Sequence, residues 1–191
     1  KESREKMWEK NPIPQAIFKS IHESILPILT TKQKYQFLCV ETMEADDLVY
    51  CIKKSLLKSN FSKTIIMVSN DNDYLQMKDD QTEIINLPKM TSIFGRGFND
   101  SAIKTLMMKI LVGDPSDNIR GVLTKSVATK LLMTLREDEC DLMEDCELKK
   151  ILKTTKDCDM NHVNLNIRLI DFRCIPDSLQ ESITIKRLPC S

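Results

Sequence analysis

The protein has 191 residues, 41% of them hydrophobic and only four of them glycine, so it can fold around a sizeable core. Its 28 basic and 28 acidic residues cancel, so the composition lacks the overall basic charge that is typical of nucleic-acid-binding proteins. No apolar run approaches the roughly 18 residues that a membrane span needs. The seven cysteines contain no C-x-x-C pair, which indicates reduced thiols in an intracellular compartment.

Helical and extended patterns alternate over the first 112 residues. Isoleucines recur at the spacing of one helical face near the start, and further on the chain has short apolar runs with turn-forming flanks, which are typical of strands. The predicted elements are a helix over 14–29, a strand over 35–40, a helix over 44–57, strands over 65–68 and 83–87, and a helix over 101–112.

The run Ile65-Ile66-Met67-Val68 is continuous and largely β-branched, which is typical of a strand buried on both faces of a parallel sheet. From residue 126 onward the pattern is helical, with helices predicted over 127–135 and 164–172. The order of elements predicts an α/β fold, with a mainly parallel sheet layered with helices and a helical region after it. Residues 101–136 carry six basic side chains against two acidic ones, which leaves room for a local basic face.

Three acidic clusters accompany these apolar elements. The stretch EADD opens a helix, VSNDND follows the strand over 65–68, and GDPSDN follows the helix over 101–112. Each cluster has a structural explanation of its own, because acids are favoured at helix N-termini and Asx-rich turns are common. The acids concerned are Glu44, Asp46, Asp47, Asp71, Asp73, Asp114 and Asp117.

A shared location would change that interpretation, since ligands bind at the carboxyl edge of open α/β sheets. Like charges about 4 Å apart repel by about 4 kcal/mol at an effective dielectric constant near 20, so converging acids require cations. Oxygen ligands without a nearby histidine or cysteine favour Mg²⁺ or Mn²⁺ over zinc. Two such ions commonly support in-line displacement at phosphorus, which predicts cleavage of phosphodiesters.

In order and spacing, EADD at 44–47, VSNDND at 68–73 and GDPSDNIRGV at 113–122 resemble the motifs of the 5′-nuclease family. This family comprises flap endonucleases and 5′→3′ exonucleases of phages, bacteria and larger DNA viruses. The resemblance implies a PIN-like nuclease core over 1–112 and a helix-hairpin-helix DNA-binding and C-terminal helical region over 113–191. It implies a monomer that cleaves 5′-flap, branched or nicked DNA in replication, repair or recombination, with no membrane partner, in the cytoplasm, the nucleoid or a viral replication site.

The resemblance also implies roles for individual residues. The implied ligands of the first Mg²⁺ or Mn²⁺ ion are Glu44, Asp46, Asp71 and Asp73, and those of the second ion or its waters are Asp47, Asp114 and Asp117. The opening KESR is similar to the family's Y-K-x-x-R element. This match makes Lys1 the electrostatic partner of the scissile phosphate and Arg4 a phosphate contact.

The hairpin after the last motif is the implied site of duplex binding, where the family usually reads G-V-x-G-I-G and binds a monovalent cation such as K⁺. Here it reads GVLTKSVATK, so Thr124 and Ser126 replace two glycines that permit close backbone approach. Hydroxyls and lysines can contact phosphate instead, and we expect weaker or altered duplex binding. The predicted DNA contacts are Arg120, Gly121, Thr124, Lys125, Ser126 and Lys130.

A second departure concerns the start of the sequence. Family members carry two further aspartates in an N-terminal strand region, and this sequence begins after the corresponding point. We expect either that another polypeptide supplies this segment or that the sequence is part of a longer chain.

Two alternative functions fit part of the sequence. A strand followed by D-x-D, with a later G-D-x-x-D, also resembles the haloacid dehalogenase phosphatases, in which Asp71 is the nucleophile and Asp73 the acid. Those enzymes have a small residue and threonine after D-x-D, where Tyr74 and Leu75 stand here, and they need a strand before Gly113. The other alternative is a DNA-structure-binding protein of the 5′-nuclease fold that has lost part of its catalytic site.

Overall fold

The computed structural model describes residues 13–31, 38–40, 43–59, 61–86, 91–92, 101–156, 158–181 and 183. The chain divides into two compact units. One comprises Lys1–Glu44 with Thr184–Ser191, and the other comprises Ala45–Ile183. The second unit includes residues from both sides of position 112. The functional boundary that the sequence suggests there, between a nuclease core and a DNA-binding region, stays a prediction.

The first unit contains helical structure where the sequence predicts a helix over 14–29. Helix α1 (Ile13–Ser20) continues through a π-helical segment (Ile21–Ile25) into helix α2 (Leu26–Thr31). The strand predicted over 35–40 is absent from its described part, because residues 38–40 have no regular secondary structure and pair with no described strand. Residues 35–37 lie outside the described part of the chain.

The second unit alternates helices and strands up to residue 112 and is mainly helical beyond it. Its helices are α3 (Ala45–Lys58), α4 (Ala102–Val112), α5 (Lys125–Thr134), α6 (Glu147–Thr154), α7 (Met160–Ile170) and α8 (Asp177–Glu181). Its strands are β1 (Ile65–Val68), β2 (Thr82–Asn86), β3 (Thr91–Ser92), β4 (Gly113–Asp114) and β5 (Ile119–Arg120). Short 3₁₀ helices cover Asn72–Met77, Pro115–Asp117, Glu137–Glu139 and Phe172–Cys174. The α/β fold class expected from the sequence is confirmed.

The described sheet has the strand order β1-β2-β3, with β1 and β2 parallel and β3 antiparallel to β2. Met67 of β1 lies opposite Ile84 of β2, and both side chains are buried. On the other face, Ile66 is 58% exposed and Val68 is 53% exposed, so the prediction that β1 is buried on both faces is wrong. Strand propensity alone accounts for β-branched residues on an exposed face of a strand.

Two apolar clusters form the core of this unit. The smaller cluster joins the sheet to the C-terminal region and contains Met67, Leu75, Met77, Ile84 and Phe172. The larger cluster fills the space between helices α4 to α7 and includes Met107, Ile110, Leu111, Leu132, Leu148, Leu152 and Val163. It therefore fixes the carboxyl end of α4, where the third acidic cluster begins. Among the described residues, none of the helices has the length and apolar character to span a membrane.

We expect Leu132→Ala to lower the free energy of unfolding by about 2–5 kcal/mol, because this side chain is fully buried in α5 and its truncation leaves a cavity. Leu169→Ala is the matched control, since Leu169 lies in helix α7 but is 58% exposed. Its effect should stay within about 0.5 kcal/mol. Urea denaturation of the two variants measures the difference, and equal losses would contradict the packing described here.

Candidate metal centre

The end of strand β1 sets the position of the second acidic cluster. Asp71 caps the 3₁₀ helix that follows, because its Oδ1 accepts a hydrogen bond of 3.0 Å from the backbone N–H of Asp73. Its own N–H donates to Ser69 Oγ at 3.1 Å. The Asx-turn interpretation of VSNDND is thus correct locally, and the turn holds Asp73 beside the carboxyl end of a parallel strand, where ligands bind in open α/β sheets.

The third acidic cluster is a tight hairpin between α4 and α5. Strand β4 pairs antiparallel with β5, with Gly113 opposite Arg120 and Asp114 opposite Ile119. Between the strands, Asp114 caps the short helix Pro115–Asp117 by accepting a hydrogen bond of 2.9 Å from the N–H of Ser116. The hairpin thereby turns both of its acids back toward the end of α4.

Glycine is required at both ends of this hairpin. Gly113 has a φ of 80°, which side-chain-bearing residues rarely adopt, and a Cβ there would lie 2.4 Å from the carbonyl oxygen of Ile119. A Cβ on Gly121 would lie 2.1 Å from the carbonyl oxygen of Val112. The two glycines allow the entering and leaving backbones to cross in contact.

The folded chain brings three acids from two distant motifs together. Carboxylate oxygens of Asp73, Asp114 and Asp117 all lie within 4.8 Å of one another. This donor set contains only oxygen, which suits a hard divalent cation such as Mg²⁺ or Mn²⁺. It combines one implied ligand of the first ion with two of the second, so the assignment of acids to individual ions stays a prediction.

A lysine from helix α4 lies between two of these acids. Lys109 Nζ is 2.7 Å from Asp114 Oδ2 and also donates to Asp73 Oδ1. Burial raises the pKa of Asp114, but hydrogen bonds from Lys109 and Ser116 outweigh burial and lower this pKa to about 2. Burial is also the largest influence on the pKa of Asp73, and there it prevails over Lys109, so that pKa is raised. The two carboxyls differ because Ser116 hydrogen-bonds only to Asp114, whereas the negative charges of Asp71 and Asp114 add to the burial of Asp73.

The first acidic cluster lies at the start of helix α3. Asp46 and Asp47 lie in the first turn of α3, where the helix dipole favours acids. The pKa of the Tyr74 phenol is raised by burial first and then by the negative charges of Asp46 and Asp71. Glu44 is exposed and belongs to the first compact unit. Lys1 and Arg4 lie outside the described residues.

The predicted DNA contacts follow the hairpin directly. Backbone N–H groups of Val122 and Leu123 donate to the carbonyl oxygen of Leu111 at 2.8 and 2.9 Å, which fixes the approach to α5. Thr124 is the N-cap of α5 and accepts a hydrogen bond from the N–H of Val127 at 3.5 Å. All the predicted contacts except the half-buried Gly121 are exposed, namely Arg120, Thr124, Lys125, Ser126 and Lys130.

Sequence reasoning missed Lys109 and Asn166. Asn166 of α7 is 1% exposed, and its Nδ2 donates to the carbonyl oxygens of Ile110 and Arg120, each at 2.9 Å. It therefore joins the end of α4 to the far strand of the acidic hairpin. The sequence did contain a signal for Lys109, because this lysine stands in an otherwise largely apolar helix five residues before Asp114. No local pattern distinguishes Asn166 from the other asparagines of its helix.

Comparisons with known proteins place this architecture among solved nuclease structures. No family model and no curated protein sequence matches the chain. The chain is similar to bacteriophage T5 flap endonuclease in a pseudo-enzyme–product complex with DNA and metal ions, with a TM-score of 0.68 and 16% identity over 90% of this chain and 66% of that one. It is also similar to the zinc-bound T5 5′-exonuclease, with a TM-score of 0.66 and 16% identity over 89% of this chain and 66% of that one.

A third T5 structure, co-crystallised with metal ions, matches with a TM-score of 0.63 and 16% identity over 89% of this chain and 67% of that one. The chain thus spans about two thirds of the length of these T5 proteins. The similarity extends over most of the α/β and helical architecture described here. More specifically, the chain has the 5′-nuclease fold, as the three motifs led us to expect.

We expect Asn166→Asp to destabilise the protein by about 3 kcal/mol at neutral pH, because a buried carboxylate would face two carbonyl oxygens that now accept hydrogen bonds. Asn164→Asp makes the same change at an exposed position of α7 and should have little effect. Thermal or urea unfolding of both variants compares them. A small loss for Asn166→Asp would show that this amide does not hold the hairpin.

Proposed function

We propose that the protein is a structure-specific 5′-nuclease, a flap endonuclease or 5′→3′ exonuclease, that hydrolyses DNA phosphodiesters with two Mg²⁺ or Mn²⁺ ions. The observation that carries the proposal is the cluster of Asp73, Asp114 and Asp117 in a chain with the 5′-nuclease fold. The T5 structures that support it contain DNA with metal ions, or metal ions alone. The proposal includes a role in DNA replication, repair or recombination, as an intracellular monomer.

The proposed site residues have two roles, since some bind the metal ions and others contact the phosphate. When bound, the two ions activate water and neutralise charge on the phosphate. Asp73, Asp114 and Asp117 are the proposed ligands at the observed cluster. The remaining proposed metal ligands are Glu44, Asp46, Asp47 and Asp71, and Lys1 and Arg4 are proposed phosphate contacts.

The region after the hairpin is suited to binding the DNA backbone. The first N–H groups of a helix lack intrahelical partners and carry partial positive charge, which favours phosphate. At the start of α5, these groups lie beside the exposed side chains of Lys125 and Ser126. We propose that this end of α5, with Arg120, Gly121, Thr124 and Lys130, contacts duplex phosphates, together with K⁺ at the hairpin.

The competing functions make different demands on the chain. A haloacid dehalogenase-like phosphatase needs a strand before Gly113, but residues Ala102–Val112 form helix α4, so this alternative loses its support. A DNA-structure-binding protein without catalysis would bind flap DNA and leave it intact. Assays of flap cleavage, phosphomonoester hydrolysis and DNA binding on one preparation therefore distinguish the three functions.

We expect Asp117→Asn to lower the flap-cleavage rate at saturating DNA by about 10- to 100-fold and to raise the Mg²⁺ concentration for half-maximal rate. Arg120→Ala should instead weaken DNA binding at an unchanged Mg²⁺ requirement, since Arg120 is exposed on the opposite strand of the hairpin. Cleavage rates measured against both Mg²⁺ and DNA separate the two effects. If both variants change DNA affinity alone, Asp117 is a turn residue and not part of the metal centre.

Joint replacement of Lys125 and Lys130 by alanine should weaken duplex binding. It should also reduce the slope of the logarithm of the binding constant against the logarithm of salt concentration by up to about two units, if each lysine neutralises one phosphate. The matched control replaces Lys58 and Lys63, which are exposed between α3 and the start of β1, at the opposite end of that strand from the acids. The control should keep the wild-type slope. Equal slopes for wild type, the double variant and the control would show that Lys125 and Lys130 do not contact the duplex backbone.

A further inference from the structure

Lys109 is placed inside the acidic centre by its own helix. Helix α4 is otherwise largely apolar. The two residues that follow Lys109 in this helix, Ile110 and Leu111, are fully buried in the core, so the backbone at Lys109 is held firmly. The lysine side chain is 22% exposed, and the Asp73 and Asp114 side chains that it contacts are 21% and 11% exposed. The three charged groups are therefore largely shielded from water.

The hydrogen bonds around Asp114 involve both of its carboxylate oxygens. Oδ1 accepts from the backbone N–H and the hydroxyl of Ser116, and Oδ2 pairs with Lys109. Lys109 also occupies Oδ1 of Asp73. A divalent cation that binds between these two acids therefore meets an ammonium group on the same oxygens.

Lys109 contacts two of the three clustered acids through one ammonium group. It supplies one positive charge to three carboxylates that would otherwise repel one another.

We propose that Lys109 is a built-in counter-ion that holds Asp73 and Asp114 together in the metal-free protein and is displaced from them when a divalent cation binds. The proposal rests on the metal centre of the proposed function. It makes Lys109 a positioning residue that sets how much divalent metal the protein requires. Lys109 keeps the carboxylates in place before loading and weakens metal binding by competing for the same oxygens.

Mn²⁺ binding without DNA tests this role directly. We expect Lys109→Gln to bind Mn²⁺ about tenfold more tightly than the wild-type protein in calorimetry. A cationic neighbour within about 4–6 Å weakens proton binding to a carboxylate by about tenfold or more, and we expect an effect of similar size on a metal cation. Lys109→Arg keeps the charge and should retain wild-type affinity. Lys104→Gln is the matched control, since Lys104 lies on the same helix but donates to the carbonyl oxygen of Leu135.

A second readout is the unfolding temperature in EDTA and in Mn²⁺. Lys109→Gln should unfold at a lower temperature than wild type in EDTA. Addition of Mn²⁺ should raise the unfolding temperature of this variant by more than that of wild type, since the metal replaces the missing positive charge. If this variant is unfolded in EDTA, Mn²⁺ should restore a cooperative transition. Failure to restore it would overturn the proposal.

The failure of this proposal can be distinguished from failure of the proposed function. Equal or weaker Mn²⁺ binding by Lys109→Gln, with wild-type binding that is lost in Asp114→Asn, would overturn the counter-ion role and leave the metal centre standing. Absence of Mn²⁺ binding in wild type and every variant would overturn both.

Discussion

Mutual repulsion among Asp73, Asp114 and Asp117 is the constraint that the second compact unit has to satisfy. Their carboxylate oxygens lie within 4.8 Å of one another, and like charges at about 4 Å repel by about 4 kcal/mol at an effective dielectric constant near 20. This is a large part of the roughly 5–15 kcal/mol by which a domain is stable. Local backbone caps, the ammonium group of Lys109 and the tight hairpin together hold the acids against this repulsion.

The hairpin is rigid because it is tied to the core from two sides. On one side, the backbone at Gly121 crosses directly over Val112, at the end of a helix that packs into the larger apolar cluster. On the other, Asn166 donates to the carbonyl oxygens of Ile110 and Arg120 from within helix α7. Packing among α4 to α7 therefore determines where Asp114 lies, although that cluster contains no residue of the acidic centre.

Local patterns in the sequence were sufficient for helices α3 and α4 and strands β1 and β2, and they singled out the three acids that the structure brings together. The apolar period of residues 101–112 and the Gly-Asp pair after it predict a helix followed by a turn, and the structure has both. Period and propensity do not reveal which neighbours cover a strand, so the exposure of Ile66 and Val68 was missed. Contacts between residues far apart in sequence were missed for the same reason, and Lys109 with Asp73 and Asn166 with Ile110 are the two that matter most.

The short ladder between β4 and β5 links the proposed metal ligands to the proposed DNA contacts. Gly113 pairs with Arg120 and Asp114 pairs with Ile119, so the two strands cannot move independently without breaking backbone hydrogen bonds. The ladder therefore fixes the separation between the proposed metal ligand Asp114 and the proposed phosphate contact Arg120. Because the side chain of Arg120 is exposed, its removal leaves these backbone hydrogen bonds in place, and the two proposed functions of the hairpin can be changed separately by mutation.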